Sequence, residues 1–350
     1  MTMACLRRAL AEGGSGNAET VRDLEGRFAE LVGAGFALCM ASGTSALICA
    51  LWAAGVRPGD AVAVSALGPA MTGLAVTAIG ARPVFLDAAS PASFGVSEQA
   101  SQSVLGHAPE AVVLVPMWGY WDERQDALDI FRANGISVIV DAAQAPFLRL
   151  REGLCNVADI VCLSLHARKP LKAGEGGVCL TNDRDLAERV LSLRNFGQAA
   201  VLDGGHLVPT GAFATTLGAN FKMNALGAAW CLAQMSVLNE IRTRFDRLRE
   251  CAIATLHATG INWIEASQSH TVVEHGRYGI VAISNNPRDA HLLATALEEV
   301  GVQVDTSRYR YGPMYNAPLL SCYASACNTA ETLTATAVAC RLEAFLPVLA

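Results

Sequence analysis

Short apolar, β-branched runs recur along this chain at intervals long enough to hold a helix, and that alternation restricts its fold more than any other feature. The runs lie at residues 61–64, 83–86, 111–116, 136–140, 159–163 and 177–180, and helical patterns separate most of them. Parallel strands are buried on both faces, so they read as continuous apolar runs, and the crossovers between them supply helices to both faces. The pattern predicts an α/β fold with a large, mostly parallel sheet. The run at 177–180 follows 159–163 through a glycine-dense turn with no helix, which predicts an antiparallel return. An opening helix is expected over 18–31. Past residue 234 the pattern becomes a long helix with charges on one side, then strands within 272–284, a helix over 287–300 and a strand over 301–305. This reads as a smaller α+β domain. We divide the chain into a large domain, 1–236, and a small one, 237–350, joined rigidly because the boundary lies in or beside a helix.

A chain of 350 residues can bury a substantial core, and its hydrophobic content of 52% raises the question of membrane spans. The longest apolar stretch, 61–79, is broken by Gly68, Pro69 and Gly73, so a buried strand, turn and helix is expected and no membrane partner. Glu12 and the glycines after it leave no apolar core for a signal peptide. A net charge of −6 without a basic patch argues against a nucleic-acid partner. The eleven cysteines, several inside apolar runs, are expected to be reduced core residues of a cytoplasmic protein. No Cys-x-x-Cys pair occurs and the seven histidines are dispersed, so no metal site is expected.

Chemistry concentrates where strand-like runs end. Lys169 follows the run at 159–163 and precedes Gly174, Gly176 and Gly177. A lysine at the carboxyl end of a buried strand can be desolvated enough to lose its proton, and only the neutral amine attacks an aldehyde. Standing alone, such a lysine is more often a solvated strand end. Ser42-Gly43-Thr44 opens an apolar helix after a strand at 36–41, a place where glycine and unpaired amides can hold a phosphate, or where a serine simply caps the helix. Asp141 ends the run at 136–140, with Gln144 three residues on; a carboxylate there can hold a ring nitrogen protonated, or cap a following helix. Asn220 precedes a long apolar helical pattern from 224 to about 241 and reads locally as a cap.

In this order, Leu24-Glu25, Ser42 to Leu47, Gly80 to Asp87, Asp141-Ala-Ala-Gln-Ala145, Ser164 to Gly177, Leu193 to Gly197 and Gly218 to Met223 resemble the DegT/DnrJ/EryC1/StrS family of aminotransferases that use pyridoxal 5'-phosphate (PLP). The likeness covers roughly the first two thirds of the chain. It implies the PLP-dependent transferase fold of type I, with a large mostly parallel-sheet domain and a smaller α+β C-terminal domain. Lys169 would carry the cofactor and shuttle a proton, and Asp141 would pair with its ring nitrogen. Gln144 would face its phenolic oxygen, and Gly43, Thr44 and Ser164 would bind its phosphate. Asn220 would reach the phosphate of a neighbouring subunit, so the active unit would be a homodimer. The implied reaction moves nitrogen from glutamate or glutamine to a keto-sugar, often nucleotide-linked, or a keto-cyclitol.

Three departures from the family are visible. Pro69 stands where an aromatic residue usually covers the ring, leaving Met71 or Trp118 as substitutes. Tyr311-Gly-Pro-Met-Tyr315 ends in tyrosine where the sugar enzymes carry histidine, which is closer to the cyclitol-type members. The chain ends at 346–350 without the expected closing helix, so an abbreviated small domain is expected. Glu175 is read as tying down the lysine loop, His166 as a packing or substrate residue, and Arg168 and Lys172 as solvated loop charges or phosphate ligands. Two other functions fit the same residues: a PLP enzyme of another reaction type, such as a lyase or cyclase, and a non-catalytic subunit paired with a paralogue. Specificity is expected to lie in 202–216 and 307–327.

Overall fold

The computed structural model describes residues 2–213 and 217–349. Its strands are β1 (Phe36–Met40), β2 (Ala61–Ser65), β3 (Arg82–Leu86), β4 (Ala111–Leu114), β5 (Ser137–Asp141), β6 (Arg149–Leu150), β7 (Ile160–Ser164), β8 (Gly177–Thr181), β9 (Gln198–Asp203), β10 (His206–Phe213), β11 (Trp263–Glu265), β12 (Val272–Glu274), β13 (Gly279–Ser284) and β14 (Ala337–Arg341). Seven of them form one sheet in the order β1-β8-β7-β5-β4-β2-β3. β2, β3, β4, β5 and β7 pair in parallel, and β8 runs against both β7 and β1. The antiparallel return at 177–180 is therefore present, one residue longer than read from the sequence.

Alternation of side chains across the sheet divides the core in two. Val138, Val140, Val161 and Leu163 pack on one face, and Ile139, Ile160 and Cys162 on the other. Helices cover both faces. Glu19–Val32 carries Glu25, which is buried, accepts the Cys39 N–H at 2.8 Å and pairs with Arg194. Arg194 donates to the Cys39 carbonyl at 2.8 Å, so one ion pair ties this helix to β1. An additional helix, Thr2–Ala11, precedes it; its two arginines and the glycines at 13–16 had masked the helical pattern.

The long helix expected from residue 224 is two helices, Ala225–Met235 and Leu238–Ala258, and Val237 between them lies off helical geometry. The chain then forms a three-stranded antiparallel sheet, β11-β13-β14, beside the helix Pro287–Glu299. The strand expected at 301–305 is absent. Val302 and Val304 are buried in alternation, but no neighbouring strand offers them a ladder, and a helix, Asp305–Tyr309, begins instead. The third strand of this sheet is β14, and β12 pairs with β6 rather than joining β13. Among the described residues no helix is long and apolar enough to cross a membrane, and no group of three or more His, Cys, Asp or Glu is placed to hold a metal. All eleven cysteines are free; Cys322 is exposed, Cys5 and Cys251 are half-buried and the rest are buried.

Candidate active site

Loops leaving the carboxyl ends of β1, β2, β4, β5 and β7 converge on a cavity of about 670 Å³. Ligand sites in open α/β sheets form at this edge because the strand ends release their loops together there. Gly43, Thr44, Asp141, Gln144, Ser164 and Lys169 all line the cavity. Asn220 does not. It is exposed, and its backbone bridges to Asn195. The helix behind it is capped by Asn224, whose side chain accepts the Gly227 N–H at 2.8 Å, so the local cap reading of Asn220 is corrected.

The helix Gly43–Ala53 begins against Ser164. Ser42 and Ser45 form a capping box, with the Ser42 hydroxyl accepting the Ser45 N–H at 3.1 Å. This leaves the first two amides, those of Gly43 and Thr44, directed at the cavity end of the helix dipole with no acceptor within the helix. A Cβ at Gly43 would stand 2.9 Å from Ser164 Cβ, so glycine is what lets the helix start approach the end of β7. Two amides, a hydroxyl and a helix N-terminus form a donor set suited to a phosphate.

Asp141 is 4% exposed. No helix follows β5, so its capping role is excluded. Its Oδ2 accepts the Thr72 hydroxyl at 2.6 Å and its Oδ1 the Ala143 N–H at 3.2 Å. Burial pushes its carboxyl above the usual range, opposed by these two hydrogen bonds and by the charge of Lys169. A buried carboxylate so placed is suited to a cationic partner such as a protonated ring nitrogen. Sequence reading missed Thr72, although it lies in the segment after β2, because nothing local shows which strand end it faces.

Lys169 stands at the tip of a narrow hairpin between β7 and β8, held by Leu165 N–H to Gly176 O and Ala167 N–H to Gly174 O, both 2.8 Å. Gly174 supplies a left-handed turn with φ of 81°. The Nζ lies 4.8 Å above the Tyr278 ring. Burial lowers its proton affinity to about 8, with Asp141 opposing and Arg168 and Arg341 adding to the shift. Glu175 sits 3.6 Å from His166 Nε2 across this hairpin. Lys172 is half-buried: it pairs with Glu343 at 3.6 Å, Gln234 holds its backbone on both sides, and it is not among the residues that line the cavity. Arg168 lines the cavity and donates to the Tyr309 hydroxyl at 2.9 Å.

Pro69 and the exposed Met71 line the cavity, as does Trp118. Trp118 is buried with φ of 51°, donates its backbone N–H to Gln144 Oε1 at 2.9 Å and meets the Tyr311 ring edge-on at 4.6 Å. Such a backbone angle in a bulky residue is costly and marks a constrained site. Gly279 makes room for it, since a Cβ there would lie 2.6 Å from Trp118 Cδ1. The far wall comes from Tyr278, Asp305, Tyr309, Arg310, Tyr311 and Arg341. Of the segments expected to set specificity, 307–327 contributes to this wall, while 202–213 forms part of the hairpin β9–β10 and residues 214–216 lie outside the described residues.

Comparison with known proteins agrees with this architecture. The chain is 30% identical over 241 residues to a UDP-2-acetamido-2-deoxy-3-oxo-D-glucuronate aminotransferase of Pseudomonas aeruginosa, covering 68% of this chain and 64% of that protein. It is 32% identical over 222 residues to an L-glutamine:2-deoxy-scyllo-inosose aminotransferase of Streptomyces fradiae, covering 61% and 51%. The chain thus spans less than two thirds of the length of these curated relatives. A solved structure of 3-amino-5-hydroxybenzoic acid synthase superposes with a TM-score of 0.83 at 22% identity, covering 99% of this chain and 91% of that one, which shows a shared fold. The model of the DegT/DnrJ/EryC1/StrS aminotransferase family matches residues 2–350, and the chain belongs to that family.

Proposed function

We propose that this protein is a PLP-dependent aminotransferase that moves an amino group from glutamate or glutamine to a keto-sugar or keto-cyclitol in two half-reactions. The observation that carries the reading is Lys169, with its proton affinity lowered to about 8, in one cavity with the buried Asp141 and the open helix start at Gly43. When bound, the cofactor supplies the electron sink for breaking a carbon–hydrogen bond. Lys169 takes that proton and returns it one position away, acting as base and then as acid. Asp141 holds the ring nitrogen protonated, and Thr72 orients the carboxylate through its 2.6 Å hydrogen bond. Gly43, Thr44 and Ser164 hold the phosphate, and Gln144, fixed against the Trp118 amide, faces the phenolic oxygen.

Asn220 is assigned to the phosphate of a second copy, in a homodimer; its exposure and its place outside the cavity of its own chain support this. The division into 1–236 and 237–350, and a cytoplasmic location that keeps the eleven thiols reduced, belong to the same proposal. The names of the relatives favour acceptors that are oxidised sugars or inososes.

The deciding experiment is the absorption spectrum of the protein saturated with PLP and freed of excess, before and after glutamate and, in a fresh sample, glutamine. Loss of the visible band to the amine form of the cofactor is expected with one of them. A band that persists with both donors would exclude transamination from either and move the assignment to another PLP reaction. A protein that takes up no PLP would exclude the cofactor site itself.

A further inference from the structure

Arg341 ends β14 opposite Gly279 in the strand register, so it stands one residue from Tyr278, the ring over which Lys169 lies. Its Nε forms an ion pair with Asp305 Oδ2 at 3.3 Å without a hydrogen bond, and its Nη2 lies 3.4 Å from Gln303 Oε1. Among the described residues Nη1 makes no hydrogen bond. Asp305 is 4% exposed, and its second oxygen, Oδ1, has no hydrogen-bond partner. Both residues line the cavity. The arrangement sets a guanidinium beside a buried carboxylate and leaves hydrogen-bonding capacity on both, in a chain whose net charge is −6. A planar fork so presented is suited to a carboxylate.

We propose that Arg341 receives the carboxylate of the amino-acid donor, with Asp305 as the residue that positions its guanidinium. This rests on the aminotransferase reading. The carboxylate belongs to the donor because a donor's α-carboxylate is two bonds from the nitrogen that must displace Lys169 from the cofactor. It must therefore lie beside Lys169, as Arg341 does across Tyr278. An acid group on an acceptor is under no such constraint. Arg341 is favoured over Arg168, which is exposed and already donates to Tyr309, because a half-buried charge is screened less by water. The charge of Arg341 also lowers the proton affinity of Lys169, so an arriving carboxylate changes the lysine's surroundings as the donor docks.

The test uses the full chain loaded with PLP and two probes that capture the bound cofactor, aminooxyacetate and O-ethylhydroxylamine, which differ in a carboxylate. The wild type should prefer aminooxyacetate, and R341Q should lose at least about tenfold of that preference, the size expected for one charge-assisted pair. R341K should recover part of it. D305N/R341Q leaves no buried charge unpaired and should show the same loss, which separates binding from misfolding. An unchanged preference in either R341Q or the double variant overturns the proposal. Glutamate conversion then separates the two readings. A wild type that converts glutamate or glutamine, alongside R341Q with the same half-saturating donor concentration, removes Arg341 alone. A wild type that converts neither donor removes the aminotransferase reading and the donor assignment together.

Discussion

One wall of the cavity is assembled from loops that leave neighbouring strands of a single sheet, whereas the opposite wall gathers Tyr278, the segment 305–317 and Arg341 from separate parts of the chain. On the first wall, hydrogen-bonded strands set the spacing between Ser164 and Asp141, and the Asp141 carboxylate and the Gln144 side-chain oxygen are held by named partners. On the second, Asp305 Oδ1 and the Tyr311 hydroxyl have none. The first wall is thus satisfied within the protein except where it would meet a cofactor, and the second keeps unspent hydrogen-bonding capacity for a substrate. Chemistry common to a family can sit on the first, and selectivity on the second.

The sharpest break of this contrast would come from the first wall. K169A should bind PLP through the phosphate donors yet lose at least about 10⁴-fold in transfer, the loss expected when one residue acts both as nucleophile and as acid and base; steady-state turnover measures it. D141N should cost about 10²- to 10³-fold in transfer, because a buried charge aimed at a ring nitrogen acts in a low dielectric. The same variant sharpens the comparison through pH. Covalent uptake of PLP by the wild type should rise with pH through about 8 and then level, since only the neutral amine reacts and burial has brought its proton affinity down from 10.5. Asp141 opposes that shift, so in D141N the midpoint should fall below 8. Stopped-flow absorbance at several pH values reads both.

T72V should be milder, about three- to tenfold in transfer, as expected for one hydrogen bond worth about 1 kcal/mol. Asp141 would lose one of the two hydrogen bonds that lower its proton affinity, so its carboxyl should move further up and the acid limb of the pH profile with it. Y309F, on the second wall, should have the smallest effect, under about threefold and confined to the half-saturating substrate concentration, because it removes a single exposed contact to Arg168. A larger effect of Y309F on the limiting rate than of T72V would contradict the division of labour between the walls.

The same contrast explains what was legible in the sequence. Residues that close a periodic apolar run, such as Asp141 ending β5 and Ser164 ending β7, declare their place because strand ends share one edge. Thr72 and Tyr278 do not, since each is separated from its partner by scores of residues and only the packed sheet brings them together. Arg341 closes an apolar run that the sequence reading did not single out, because nothing in 337–341 says which sheet that strand joins. The misplaced strand at 301–305 has the converse cause. Alternating burial of Val302 and Val304 mimics a strand, and hydrogen bonding, which periodicity does not report, decides otherwise.

Gly177 opens β8, and a Cβ there would lie 2.3 Å from the Ser42 carbonyl oxygen. The start of the lysine hairpin's return strand therefore touches the turn that opens the phosphate-side helix, with no room for a side chain between them. Neither segment can be lengthened or swapped without displacing the other, so the two behave as one mechanical unit. A changed loop or strand end on the far wall leaves this joint untouched.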